Sequence, residues 1–335
     1  MPSSASTQAG PRTSRRAARR SDPDNATLIA RGTRSRTLLS CAAVPNLAKP
    51  RTVTAADLPS VLVLLNAAYG QNPTFEARFR TYSALEPEGW VVIDGALGPI
   101  GVGGFVAFGA TAYIGLMAVS PEAQRRGVGA AIFEEVLARC EARGCGLVLL
   151  DASDAGAPLY EKYAFKDHGI SHSISFRACE AGSASDAGSA FRVEAFDSAD
   201  TEATAEIARF DAECFGADRS RLVRRCLHER AERTFLARDS GGELVGYAMG
   251  RARAFGPCMA RSPVIAGTLA RKVLALPAAD SVVWLIAGQN EDALVVAESL
   301  GGVRARTWRH MRRGNAALLA SDWSSLFAKV SLAVG

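Results

Sequence analysis

Residues 116–130, LMAVSPEAQRRGVGA, decide the local fold of the first half of this chain. The apolar residues at 112–119 predict a short strand, and Ser120-Pro121 would end it. Apolar spacing over about 128–143 then predicts a helix, with a glycine-containing turn between the two elements. The stretch therefore predicts a strand, a turn and a helix N-terminus in direct succession.

The predicted turn has the features of an anion site. A helix N-terminus leaves backbone amides unpaired and carries partial positive charge. Gly127 and Gly129 would let a ligand approach the backbone closely, and Arg125 and Arg126 add full positive charges. The spacing matches neither G-x-G-x-x-G of dinucleotide-binding folds nor G-x-x-x-x-G-K-[ST] of P-loops. A pyrophosphate site of another kind is favoured over an Arg-Gly turn that only caps an amphipathic helix.

Two motifs, in order, resemble those of a known family. Gln124, Gly127 and Gly129 form Q-x-x-G-x-G, which is similar to the acetyl-coenzyme A (acetyl-CoA) binding pattern of the GCN5-related N-acetyltransferases (GNAT). After an apolar strand at 147–150, residues 159–165, LYEKYAF, resemble the short helix of that family that runs into Gly-Phe. Ala164 stands where the family usually has glycine. The resemblance covers roughly residues 52–175.

The resemblance implies a set of cosubstrate-binding residues and no metal. The strand end would offer backbone groups to the pantetheine arm, and the turn with the first helical residues would hold the pyrophosphate. These residues are Met117, Ala118, Val119, Gln124, Arg125, Arg126, Gly127, Val128, Gly129 and Ala130. Tyr160 would be the general acid, because a phenol of pKa about 10 can protonate a thiolate whose thiol has a pKa of about 8.5. Tyr163, one helical turn away, is expected to pack.

The sequence leaves the general base open. The predicted strand at 112–119 has no acidic residue. Asp151 and Asp154 follow the next apolar strand, where aspartate most often belongs to a turn or a cap. Glu76 and Tyr69 lie in the region that the resemblance places over the acceptor. An amine with a pKa near 8 arrives partly neutral and needs only water.

A second, altered copy of the pattern follows the first. Met-Ala-x-Ser-Pro recurs at 259–263, but alignment of the helix ends leaves the second copy five residues short, at the positions of 124–126. The position that matches Tyr160 is Ala297. Losses at both ends predict a second fold without its own cosubstrate site. The whole chain resembles two-domain acetyltransferases whose C-terminal half is a degenerate copy.

The expected fold class is mixed α/β, of the α+β type. It would consist of tandem acyl-CoA N-acyltransferase (GNAT) folds, each a twisted mixed sheet flanked by helices. The predicted divisions are a disordered basic tail (1–49), a catalytic GNAT domain (50–179), a Gly/Ser/Ala linker (180–190), a degenerate GNAT-like domain (191–314) and a C-terminal segment (315–335).

Charge and cysteine content indicate which partners and which cellular compartment to expect. The first 49 residues hold nine of the 39 basic residues and two of the 34 acidic ones, so the rest of the chain is nearly neutral. The tail lacks interleaved aromatic residues, which disfavours nucleic-acid binding, and no apolar run is long enough to span a bilayer. Seven scattered cysteines without zinc spacing favour free thiols in a reducing, cytoplasmic compartment. Import into an organelle through the Arg- and Ser-rich tail is the weaker alternative.

These observations together predict an enzyme that moves acetyl from acetyl-CoA to a primary amine by direct attack. The C-terminal domain would shape the acceptor pocket, and the acceptor would be a small molecule or a peptide. A non-enzymatic acyl-CoA sensor or scaffold is the alternative, and the missing base favours it. Nucleic-acid binding through the tail is a third and weaker hypothesis. The sequence assigns no oligomeric state.

Overall fold

The computed structural model describes residues 47–177, 190–251 and 253–335. The predicted basic tail (1–49) lies outside these ranges except for its last three residues. The predicted linker (180–190) lies outside them except for Ala190.

The elements of the first half include the predicted strand at 112–119, the helix that follows its turn, and the predicted strand at 147–150. They are β1 (Arg51–Thr52), α1 (Leu58–Tyr69), α2 (Phe75–Leu85), β2 (Trp90–Gly95), β3 (Gly98–Phe108), β4 (Thr111–Val119), α3 (Val128–Ala142), β5 (Leu147–Ala152), α4 (Ala157–Lys162) and β6 (Lys166–Arg177). The apolar stripe of α3 is buried from Val128 to Cys140, as expected for a helix that packs one face on a sheet. His168 and His172 lie on β6.

The second half repeats the same order of elements. They are β7 (Phe191–Ala195), α5 (Thr201–Phe215), α6 (Ser220–Arg230), β8 (Thr234–Asp239), β9 (Leu244–Arg251), β10 (Ala254–Ala260), α7 (Pro263–Leu274), β11 (Ser281–Ala287), α8 (Glu291–Ser299) and β12 (Val303–Gly314). A short strand, β13 (Leu326–Ala328), follows in the C-terminal segment. The repeat detected in the sequence is therefore a repeat of structure.

One mixed sheet joins the two halves. Its described strands lie in the order β1-β2-β3-β4-β5-β12-β6-β11-β10-β9-β8-β7, with β13 beside β10. The last strand of each half lies among strands of the other: β12 is antiparallel to β5, and β6 is antiparallel to β11. β6 and β12 also pair with each other. The divisions predicted at 179 and 191 thus separate stretches of sequence whose last strands are exchanged in the sheet.

Helices cover both faces of this sheet. Successive residues of β2 point to opposite faces, so Trp90 and Val92 join one apolar cluster while Val91 and Ile93 join another. The first cluster includes residues of α1, α2, α5 and α6 and is shared by the two halves. The second lies under α3 and α4, and a third lies under α7 and α8. The two halves are therefore joined by a common core as well as by a common sheet.

Candidate active site

Strand β4 separates from its parallel neighbour β5 about halfway along its length. Residues 111–114 pair with 147–150, and the described pairing ends there. Leu116 has φ +52, in the left-handed region that a non-glycine residue rarely adopts, so the strand bends at this point. The end of β4, residues 117–119, borders a cleft in place of β5, at the position where the resemblance puts the pantetheine arm.

Tyr69 of α1 contacts the backbone at this cleft. Its hydroxyl donates a hydrogen bond to the Met117 carbonyl oxygen at 2.5 Å. Tyr69 as a whole is 49% exposed, but desolvation around its hydroxyl, with a smaller contribution from nearby Tyr160, raises the pKa of Tyr69 above its usual range. Tyr69 is therefore a protonated hydrogen-bond donor at neutral pH, which argues against its use as a general base.

The turn between β4 and α3 is shaped by two left-handed residues. Arg125 has φ +58 and Gly127 has φ +83, and Gly127 is the N-cap residue of α3. No described side chain bonds the amides of the first helical turn. The Gln124 side chain donates to the Val119 carbonyl oxygen at 3.3 Å and ties the turn to the strand end. Arg126, like Arg125, is exposed and has no ion-pair partner among residues 47–177, 190–251 and 253–335. The turn thus presents free amides and two unpaired guanidinium groups to solvent.

Gly129 is a glycine that the protein itself does not require. Its φ is not positive, and a Cβ placed there would lie 3.6 Å from Val119 and 3.8 Å from Leu159, which are ordinary contacts. Leu159 belongs to α4, so this position lies where α3, β4 and α4 meet. The missing side chain leaves space beside the backbone here, as the predicted pyrophosphate site would need. Val128 and Ala130 flank it in the same helical turn.

Tyr160 lies on α4 beside α3. Its ring packs against Phe133 with centroids 4.8 Å apart, and 9% of the residue is exposed. Its hydroxyl has no hydrogen-bond partner in the described parts of the chain. Burial raises the pKa of Tyr160 to about 12. The hydroxyl therefore keeps its proton at neutral pH and is free to donate it to a ligand.

The other residues named as alternatives for the base lie elsewhere. Glu76 forms an exposed ion pair with Arg80 at 2.9 Å on α2. Asp154 is exposed in the turn after β5. Asp151 is not a turn residue: it lies within β5, and its side chain is fully buried. Tyr163, expected to pack, places its ring against Phe133 and donates its hydroxyl to Glu134 at 2.7 Å.

Asp151 is the centre of a buried polar cluster that sequence patterns do not predict. Its carboxylate accepts hydrogen bonds from Lys329 at 3.0 Å, Tyr113 at 2.5 Å, Ser171 at 2.6 Å and His310 at 3.0 Å. Burial favours the neutral acid, but the charge of Lys329 and the bond with His310 hold the pKa of Asp151 below its usual range. The five residues come from β4, β5, β6, β12 and the C-terminal segment, so the cluster fastens both halves together.

The described part of the second half has no equivalent of the glycine-containing turn that precedes α3. Two residues separate β10 from α7, whereas eight separate β4 from α3. The Ser262 hydroxyl accepts from the Ile265 amide at 3.4 Å and so caps α7, which leaves fewer free amides for an anion. Ala297, aligned with Tyr160, is fully buried on α8.

Strand β13 fills the cleft that would correspond to the first one. β10 pairs with β11 only at Ala254 and Phe255. Beyond that point it pairs with β13, with Met259 opposite Leu326, and the Lys329 amide donates to the Leu285 carbonyl of β11 at 2.8 Å. In the second half the chain's own backbone therefore occupies the space between the two diverging strands.

Among the described residues, no group of three or more His, Cys, Asp or Glu side chains is arranged to hold a metal ion. None of the described helices has the length and apolar character needed to cross a membrane. The described cysteines, 140, 145, 214, 226 and 258, are buried free thiols.

Both halves match known protein domains. One acetyltransferase (GNAT) domain model matches residues 86–167 and another matches 207–328. No curated protein matches the chain in sequence.

Several solved structures are similar to this chain over most of its length. A Pyrococcus horikoshii protein assigned to the acetyltransferases is 23% identical with a TM-score of 0.72, over 85% of this chain and 95% of its own. A GCN5-related N-acetyltransferase from Sphaerobacter thermophilus is 16% identical with a TM-score of 0.62, over 84% and 98%. A tandem GNAT protein from the clavulanic acid biosynthesis pathway is 13% identical with a TM-score of 0.55, over 80% and 98%. At these identities the likeness shows a shared fold.

The domain matches and the repeated mixed α/β architecture agree with each other. This protein belongs to the GNAT superfamily of acyltransferases, as a tandem member with two acetyltransferase-type folds in one chain.

Proposed function

We propose that the first half binds acetyl-CoA and transfers its acetyl group to a primary amine by direct attack. The observation that carries this proposal is the uncapped N-terminus of α3, with Gly127 and Gly129 in its first turn, directly after the point where β4 leaves β5. The free amides and the charges of Arg125 and Arg126 suit a pyrophosphate, and the space over Gly129 suits its close approach.

Each part of the cleft has a role in this reaction. Acetyl-CoA supplies the thioester and the thiolate leaving group. A backbone amide within residues 117–119, aimed at the thioester oxygen, would stabilise the developing oxyanion by about 3 kcal/mol. Tyr160 holds a proton at its hydroxyl oxygen for the leaving sulfur, and the dry surroundings that raise its pKa also raise the pKa of the thiol. The amine nitrogen loses its proton to water, since an amine of pKa near 8 is partly neutral on arrival.

We assign the second half to the acceptor side. Tyr82 of α2 and Ser331 of the C-terminal segment hydrogen-bond at 2.8 Å, and Ala333 packs directly on Gly115 of β4. Residues from the second half of the sequence thus reach the strand that carries the cleft. The acceptor is proposed to be a small-molecule or peptide amine. A cytoplasmic setting is part of the proposal, and the buried free thiols support it.

Calorimetry with acetyl-CoA tests the site. We expect one molecule to bind per chain, and Gly129→Ala to weaken binding without loss of folding, because the added methyl meets only ordinary protein contacts. Gly129→Glu should abolish binding, since it adds a negative charge at the anion site. Val264→Glu is the matched control, because Val264 is the second residue of α7 as Gly129 is of α3, and it is exposed.

Two results would contradict the proposal. Normal affinity of folded Gly129→Glu for acetyl-CoA would show that the site is not at the N-terminus of α3. Two equivalent acetyl-CoA molecules bound per chain would show that the second half has a site as well. Thiol release against a panel of amines then separates enzyme from sensor. Binding without release from any amine would favour the acyl-CoA sensor.

A further inference from the structure

A cavity of about 440 Å³ lies between the two halves, outside the cosubstrate site described above. It is bordered by α2 of the first half, by α6 and the end of β9 of the second half, and by Val330 of the C-terminal segment. Four arginines line it: Arg78, Arg230, Arg233 and Arg251. The four residues come from α2, from the end of α6 with the turn after it, and from β9, so local sequence patterns do not predict this grouping.

Each of these arginines has a buried nitrogen without a partner. The atoms are Nε of Arg78, Arg233 and Arg251 and Nη1 of Arg230, and none has a hydrogen-bond partner among the described residues. Buried donors are nearly always paired in folded proteins, so four unpaired ones around one cavity call for an explanation. These four nitrogens are shielded from solvent, so an oxyanion in the cavity would be bound by other N–H groups of the same four side chains. Guanidinium groups bind carboxylate and phosphate through paired hydrogen bonds.

The net charge of the side chains that line the cavity also favours an anion. Its acidic residues are Glu229 and Glu232, against four arginines. Glu229 pairs with Arg230 at 3.6 Å and is also bonded by Arg225, which lies outside the lining, at 2.6 Å, so it offsets only part of the arginine charge. Burial, and then the like charges of Arg230 and Arg78, lower the pKa of Arg251 to about 10. The cavity therefore holds excess positive charge that its own residues do not neutralise.

The cavity lies next to the acceptor side of the cleft. Tyr69, whose hydroxyl binds the Met117 carbonyl, is followed four residues later by Pro73, which lines the cavity. A four-residue step spans at most about 14 Å. Phe75, at the start of α2, also contacts the Tyr69 ring, with centroids 6.0 Å apart. A small molecule can span this separation.

We propose that the cavity receives a carboxylate or phosphate group of the amine acceptor, and that the acceptors are amines carrying an oxyanion and not polyamines. The inference rests on the proposed acetyl transfer at the adjacent cleft. A polycation would meet four arginines in the cavity, whereas an amine with an oxyanion would place its negative group there and its amino group toward Met117.

Matched amines test the substrate class. Thiol release at saturating acetyl-CoA is measured for elongated amines that can reach from the cleft to the cavity: 8-aminooctyl phosphate against octylamine, 8-aminooctanoate against heptylamine, and spermidine. We expect the oxyanion member of at least one pair to have a kcat/KM about 10- to 100-fold higher than its neutral partner, the range typical of hydrogen bonds to charged groups. The pair that responds distinguishes phosphate from carboxylate. Equal values within both pairs, or preference for spermidine, would overturn the inference while leaving acetyl transfer intact.

Variants within one helix locate the effect. Arg78→Gln should raise the KM for the preferred amine about 10-fold and leave the affinity for acetyl-CoA unchanged. Arg80→Gln, on the exposed side of the same helix, is the matched control. Arg233→Gln is the second variant, used if Arg78→Gln melts at a lower temperature than wild type. Unchanged KM in both folded variants would overturn the inference.

A binding measurement separates this inference from the proposed function. Calorimetric titration of the full chain with inorganic phosphate should give saturable binding that is weakened in Arg78→Gln and not in Arg80→Gln. That result with no turnover of any amine would support the anion cavity and count against the acetyltransferase. Absence of phosphate binding together with equal kcat/KM values would reject the cavity alone.

Discussion

Tyr69 and Tyr160 have hydroxyls with different hydrogen bonding and therefore different roles in the proposed reaction. Tyr69 is bonded to the Met117 carbonyl, so its hydroxyl holds the strand end in place. Tyr160 has no such partner among the described residues, and its raised pKa keeps the proton on oxygen at neutral pH. A leaving thiolate in the same dry surroundings is more basic than it is in water, which favours transfer of that proton to sulfur. The free hydroxyl, and not the bonded one, is therefore suited to be the acid.

Replacement of Tyr160 by phenylalanine tests this assignment. The change removes one hydroxyl and little volume, so acetyl-CoA affinity by calorimetry should persist while kcat falls about 10²-fold. Tyr163→Phe, which removes a hydroxyl bonded to Glu134 on the surface, is the control and should change kcat little. If chemistry limits turnover and Tyr160→Phe is fully active, Tyr160 serves only to pack against Phe133.

At this scale the sequence predicts what is local. Gly127, Gly129 and Tyr160 are adjacent to their elements, so spacing alone placed them on α3 and α4. The partners of Asp151 are different, because His310 and Lys329 lie more than 150 residues away along the chain. A lone aspartate after an apolar strand resembles a turn residue until those distant partners are known. The arginines of the cavity were missed for the same reason.

Between elements, the Asp151 cluster is the main polar contact across the exchanged strands. It joins β5 to β6 and β12 and to the segment after β13. The Lys329 side chain is 2% exposed and Asp151 is 0% exposed, so neither charge is solvated. Such a pair contributes little net stability when intact, but removal of one member leaves the other as an unpaired buried charge.

Lys329→Met should therefore destabilise the protein by about 3–5 kcal/mol, measured by urea unfolding. Adding Asp151→Asn should recover part of the loss, because it removes the stranded carboxylate. Arg80→Met breaks an exposed pair and is the control, with an expected cost below about 0.5 kcal/mol. A loss of less than about 1 kcal/mol for Lys329→Met would show that water or another cation compensates Asp151.

The existence and order of the elements followed from local pattern, but the exchange of β6 and β12 did not. Five of the twelve residues of β12 are arginine and β6 is largely polar, but neither composition indicates which half the strand completes. The pairing depends on contacts such as Met311 opposite Leu150 and Ile174 opposite Trp284, which join residues over 100 positions apart. Sequence reasoning from one chain finds periodicity within a strand and not its partner.

In the whole molecule, the exchange makes the two halves interdependent. Separation of the halves would expose β12 and β6 and split the core shared by α1, α2, α5 and α6. A protease site inserted between residues 180 and 189 gives a direct test. After cleavage the two fragments should co-elute on gel filtration and keep their affinity for acetyl-CoA. Uncut protein with the same insertion is the control, and dissociation of the fragments without denaturant would contradict the exchange.

Strand β13 fills the cleft between β10 and β11 and belongs to the same chain, so it cannot dissociate. Because it is covalently attached, its effective concentration at the β10–β11 cleft does not depend on the supply of any metabolite. No described strand fills the cleft of the first half. If the acyl donor binds there as proposed, it stabilises the folded state by RT ln(1 + [L]/Kd), and this contribution depends on the donor concentration. Depletion of the acyl donor would thus loosen one side of a continuous sheet while the other stays fixed. Susceptibility to proteolysis in a starved cell would begin at β4 and α3, not in the degenerate copy.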